Sequence, residues 1–198
     1  MRADAKLKRK HDFKPDRMGA GALSKLYLTR RQRLNLLRWL LYGAVILLLS
    51  LVQDVILSRI GIRGATTDLV PAGILLLTMM LGVEEGAIFA VVASTLFYFS
   101  GSAPGPYAIP FLTVLGTVVS IFRYGYLYKS FGSVLFCAAV TVMAYEMLVF
   151  VTGSFLGVVP ISRFVAFCIT GGLSVAALPL LYPVFFAIGK IGGETWKD

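Results

Sequence analysis

The residues of greatest chemical reach in this chain are a few charged and hydroxyl-bearing side chains set inside long apolar runs. Asp54 stands near the end of the first run and Glu146 interrupts the fifth, while Arg59 and Arg163 flank the same predicted face. Gln53, Tyr98, Tyr107 and Tyr145 add hydrogen-bonding groups there. An ionised side chain within a bilayer is costly unless it is paired or faces water. The expectation is a polar cluster of Asp54, Arg59, Glu146 and Arg163, with Glu146–Arg163 as its leading pair. Three roles suit such a cluster: a structural ion pair, a partner-binding site, or a pocket for a small ligand.

Other chemistries find little material. The single histidine, His11, lies in a basic N-terminal arm, and no apolar run carries two metal ligands at useful spacing. Cys137 and Cys168 fall in separate apolar runs, which predicts free, buried thiols rather than a disulfide. There is no phosphate loop, no nucleophile elbow and no carboxylate pair placed for acid–base work. The expectation is a protein that is not an enzyme, with no catalytic residue, metal or cofactor. A proton-driven carrier usually needs several buried carboxylates and often an inverted repeat, and neither is evident.

The elements that must position these residues follow from composition. Of 198 residues 58% are hydrophobic, and the mean hydropathy is +0.81. That leaves too few polar residues to coat a soluble globule. Six apolar segments are expected: about Trp39 to Leu57, Leu69 to Leu81, Gly86 to Ser100, Tyr107 to Phe122, Ser133 to Val151 and Phe164 to Ile188. Pro179 and Pro183 should kink the last. The second and third are short. Leu69 to Leu81 makes roughly 20 Å of helix, whereas the hydrocarbon core is about 30 Å thick. The predicted fold class is an all-α membrane protein, a compact six-helix transmembrane bundle (residues 36–190). A basic arm (1–35) precedes it and a short tail (191–198) follows.

The net charge of +9 is concentrated at one end. Twelve of the 19 Lys and Arg residues lie between Arg2 and Arg38. With the N-terminus in the cytoplasm, only Arg59, Arg63 and Arg163 fall outside, so the positive-inside rule predicts both termini cytoplasmic. Arg30, Arg31, Arg33 and Arg38 should face headgroups along an interfacial helix over about Leu23 to Leu41, which makes anionic lipid rather than nucleic acid the expected partner of the arm.

Small residues recur every four positions: Gly86, Ala90 and Ser94; Gly116 and Ser120; Gly172 and Ala176. Such rows let helix backbones approach closely, within the chain or against a partner helix. Glu84 and Glu85 mark a tight turn before the third run, where Glu85 complements the positive end of the helix dipole.

The central block reads Thr67-Asp68-Leu69, then Gly82-Val83-Glu84-Glu85-Gly86, then Ser100-Gly101 and Pro104-Gly105-Pro106-Tyr107. It resembles the bacterial rod shape-determining MreD family, with Ala90 and Ser94 where that family often has glycine and Tyr98 where an aspartate is common. The resemblance implies a non-enzymatic scaffold of the cell-elongation machinery in the bacterial cytoplasmic membrane. Such a subunit docks the single-span protein MreC and couples MreB filaments to RodA and its class B penicillin-binding protein. The expected docking face is the row Gly86, Ala90 and Ser94 with Tyr98 at the outer rim. The six-helix plan is also similar to the substrate-binding subunits (S-components) of energy-coupling-factor vitamin transporters, the alternative reading. Those subunits dock through an Ala-x-x-x-Ala row on the first helix; here Ala44 is followed by Leu48.

Overall fold

A computed structural model describes residues 30–59, 65–126 and 130–191. The arm at 1–29, with His11, and the tail at 192–198 lie outside the described residues, as does Arg63. The described residues form six α-helices and no strand: α1 (Arg30–Val55), α2 (Leu69–Met80), α3 (Val83–Phe99), α4 (Ala108–Tyr126), α5 (Phe131–Phe155) and α6 (Phe164–Gly189). Short 3-10 turns follow α1 (Leu57–Arg59) and precede α6 (Ile161–Arg163).

Three stretches are long and apolar enough to cross a membrane: Arg33–Arg59, Phe131–Phe155 and Ile161–Gly189. Their outer faces carry leucine and phenylalanine in the open, including Leu40, Leu47, Leu48 and Leu51 on α1, Phe136 on α5 and Leu180 on α6. A water-soluble surface does not sustain apolar stripes of that extent. This is a membrane protein. α6 runs through Pro179 and Pro183 as one helix, with both prolines on its exposed side.

The shortest helix is the most enclosed. α2 touches all five other helices, and every residue from Val70 to Met79 is buried. A helix apolar on all sides suits such a position, because it has no polar face to turn outward. Enclosure also removes the length requirement: a helix wrapped in protein need not match the hydrocarbon thickness, and irregular backbone at its ends is tolerated there. Twelve residues suffice for that reason.

Close approach around α2 is made by the small residues. A Cβ on Gly86 would stand 2.8 Å from the carbonyl oxygen of Thr78, and one on Gly116 would stand 3.2 Å from the Thr78 side chain and 3.4 Å from Ala90. Ser94 and Thr113 face each other at 3.5 Å between α3 and α4. The helices then stop cleanly. Gly101 and Gly157 take positive φ (79° and 70°) just beyond α3 and α5, where a residue without Cβ ends a helix cheaply.

Candidate functional site

The first turn of a buried helix exposes backbone N–H groups that neither water nor lipid can satisfy. At α2 the solution is supplied by two neighbours. Gln53 Oε1 of α1 accepts from Val70 N–H at 2.9 Å, and Ser174 Oγ of α6 accepts from Asp68 N–H at 2.9 Å. Pro71 has no N–H to satisfy. Ser174 in turn donates to the Thr170 carbonyl at 2.8 Å.

This arrangement frees the Asp68 carboxyl. Asp68 occupies the N-cap position but makes no side-chain cap bond. Instead its carboxyl lies beside that of Glu146 on α5, close enough for the two to interact. Glu146 is 1% exposed, and its Oε1 has no hydrogen-bond partner. Beside it, Tyr145 is also 1% exposed, and its hydroxyl has no partner either. Tyr145 is within electrostatic reach of Asp68, Glu146 and Tyr107. Glu146 and Ser174 lie near the midpoints of α5 and α6, so the site is deep in the bundle. Among the described residues no lysine or arginine stands with the two carboxyls.

Two carboxyl groups in contact cannot both stay ionised without a counter-charge. A proton held between them makes one the donor and the other the acceptor. The pair then joins the start of α2 to α5 while Ser174 and Gln53 join it to α6 and α1.

The expected cluster of Asp54, Arg59, Glu146 and Arg163 is corrected on this point. Glu146 meets Asp68 and not Arg163. Arg163 and Arg59 are exposed, each in a 3-10 turn at a helix end. Asp54 is exposed and accepts from Ser102 Oγ at 2.5 Å, tying the end of α1 to the α3–α4 connection. Exposed ends give these groups solvent, so nothing draws them into the interior. Asp68 was legible only as the start of a short helix. Its signal was there nonetheless, because a helix of about 18 Å enclosed by its neighbours can hold its flanking acid among them.

The expected docking row is corrected as well. Gly86, Ala90 and Ser94 are buried against α2 and α4, which fills the space a partner helix would need. Tyr98 is apart from them, 38% exposed and in edge contact with Phe99. The row left open is Gly172 and Ala176 on α6: both are exposed, and a Cβ on Gly172 would meet nothing within 4 Å.

At the opposite end, Arg38 departs from the expected headgroup-facing set. Arg38 is 6% exposed and donates to Glu85 Oε2 at 2.8 Å. Glu85 does stand in the first turn of α3, and it also pins α1 to that turn. Arg33 is exposed, while Arg30 and Arg31 open α1 with side chains outside the described residues. Cys137 and Cys168 are free thiols, half-buried rather than fully buried. Among the described residues no group of three or more His, Cys, Asp or Glu side chains is placed to hold a metal ion. Compared with family models, curated proteins and solved structures, the chain has no match.

Proposed function

We propose that this chain is a non-enzymatic membrane scaffold similar to the MreD family, with six spans and both termini in the cytoplasm. On this reading it docks an MreC-like single-span protein and links cytoplasmic filaments to peptidoglycan synthases of the elongation complex. The docking face moves from α3 to α6. The observation that carries the reading is the open Gly172–Ala176 row on a long apolar helix. A small-residue row facing outward invites a second helix to pack closely, where lipid tails alone would gain nothing from it. The central block quoted above supports the family likeness, and the twelve Lys and Arg residues before Trp39 support the orientation.

Co-purification tests it. Gentle extraction of the tagged chain should recover a single-span coiled-coil protein and cell-wall synthases. Gly172→Leu should lose the single-span companion while keeping the yield of folded protein. A vitamin-capture subunit is the second reading, favoured by the unpartnered Glu146 and Tyr145 atoms. Recovery of paired ATPases with a coupling subunit would replace the scaffold by that reading.

A further inference from the structure

Many hydroxyls in this bundle share a local bond that the central site lacks. Thr78, Ser94, Thr95, Thr113, Thr117, Thr141 and Ser174 each bond a carbonyl three or four residues back in their own helix. Polar atoms in a membrane interior are satisfied locally in this way. Glu146 Oε1 and the Tyr145 hydroxyl are not, although both residues are 1% exposed; Ser154 Oγ also lacks a partner, but it stands in the last turn of α5, away from the carboxyls. An unsatisfied buried atom is costly, and two beside a carboxyl pair call for a ligand.

We propose that Asp68, Glu146 and the Tyr145 hydroxyl bind a hard, oxygen-seeking metal cation. The donors are all oxygens, two of them from carboxyl groups, the set that alkali and alkaline-earth ions prefer over thiolate- or imidazole-seeking metals. Within electrostatic reach of Tyr145 on α5 are Asp68 before α2, Glu146 on α5 and Tyr107 before α4, the Tyr107 hydroxyl already donating to the Pro104 carbonyl at 3.1 Å. Ser174 on α6 and Gln53 on α1 are uncharged and already engaged with backbone N–H groups. The local charge is therefore negative or zero and never positive. Two occupied states balance it. With one proton kept between the carboxyls, a monovalent ion gives neutrality. With that proton released to solvent, a divalent ion does. Asp68, only partly buried, is the side from which an ion reaches Glu146.

The full chain in phosphatidylcholine nanodiscs supplies the test, since neutral lipid keeps headgroup binding low. Thermal unfolding is followed in sodium, magnesium or calcium chloride against choline chloride at equal ionic strength. The expected result is a saturable rise of about 3 °C or more with one of the metals. Release of about one proton into weakly buffered medium marks the divalent form, and no release marks the monovalent form. Asp68→Asn and Glu146→Gln should each abolish the rise, and Tyr145→Phe should weaken it. A wild-type chain no more stable in any metal than in choline overturns the proposal without recourse to the variants. So does a rise that survives both Asp68→Asn and Glu146→Gln. Partner docking on α6 is separate: losing the ion leaves co-purification as it was.

Discussion

The carboxyls of Asp68 and Glu146 lie beside each other, and this pairing sets the start of the shortest helix against the middle of one of the longest. The Asp68 carboxyl is available for it because Gln53 takes over Val70 N–H, the group an N-cap carboxylate would otherwise serve, and Pro71 offers no N–H. The site is thus the by-product of a capping problem solved from outside the helix.

Glu146→Gln retains an acceptor and a donor of the same shape, so it should leave stability within about 1 kcal/mol. Glu146→Ala strands the Asp68 carboxyl and should cost about 1–3 kcal/mol more than the amide. Thermal unfolding in a mild detergent compares the two. Equal losses would mean that the Asp68–Glu146 pairing contributes nothing.

The capping argument predicts a difference between two isosteric changes at Gln53. Gln53→Glu keeps the acceptor for Val70 N–H, whereas Gln53→Met leaves that buried donor unmet, at about 1–3 kcal/mol. Hydrogen exchange at Val70 gives the local readout: faster exchange is expected in the methionine variant. Unchanged protection there would show that Val70 N–H finds another acceptor.

Packing around Gly86 leaves no room for a methyl group. Gly86→Ala brings Cβ to 2.8 Å of a backbone oxygen, so α2 or α3 must shift, at about 1–3 kcal/mol. Gly172→Ala meets no atom and should stabilise by about 0.4–1 kcal/mol through lost freedom of the unfolded chain. Melting temperatures should move in opposite directions; a fall of equal size in both would refute the packing contrast.

The Arg38–Glu85 bridge is half in solvent, with the two side chains 7% and 43% exposed. Screening on the glutamate side places its coupling near the lower part of the range for charged hydrogen bonds, about 1–2 kcal/mol. A double-mutant cycle with Arg38→Met and Glu85→Gln measures it. A coupling below about 0.3 kcal/mol would reduce the bridge to a surface contact.

Much of this architecture could be read along the chain. The apolar runs located five of the six helices to within a few residues; the first begins at Arg30 and continues unbroken through the expected membrane boundary. The Leu81–Gly82 break between α2 and α3 was legible because Gly82 and the two glutamates interrupt the apolar pattern. The rows of small residues were legible too, as places where backbones meet. Which row serves the chain itself was not. Gly86–Ala90–Ser94 and Gly172–Ala176 share the same spacing, and spacing carries no information about which face of the bundle a helix presents.

Charge was harder to place than length. Glu146 and Arg163 looked complementary because their positions along consecutive helices suggested a shared end. Depth separated them: Glu146 lies near mid-helix while Arg163 lies in a solvent-facing turn. Asp68 is set against α5 and α6 because α2 is short and enclosed by the other helices.

The sequence by itself determined that this is an all-helical membrane protein and where its helices start and stop, the start of the first excepted. Hydropathy and helix-breaking residues are local quantities that act wherever the chain goes. Tertiary structure alone decided that the shortest helix becomes the core. It also decided that Asp68 meets Glu146 and that α6 keeps the open small-residue row. Those outcomes depend on the rotation and depth of each helix, which are set by packing among all six at once.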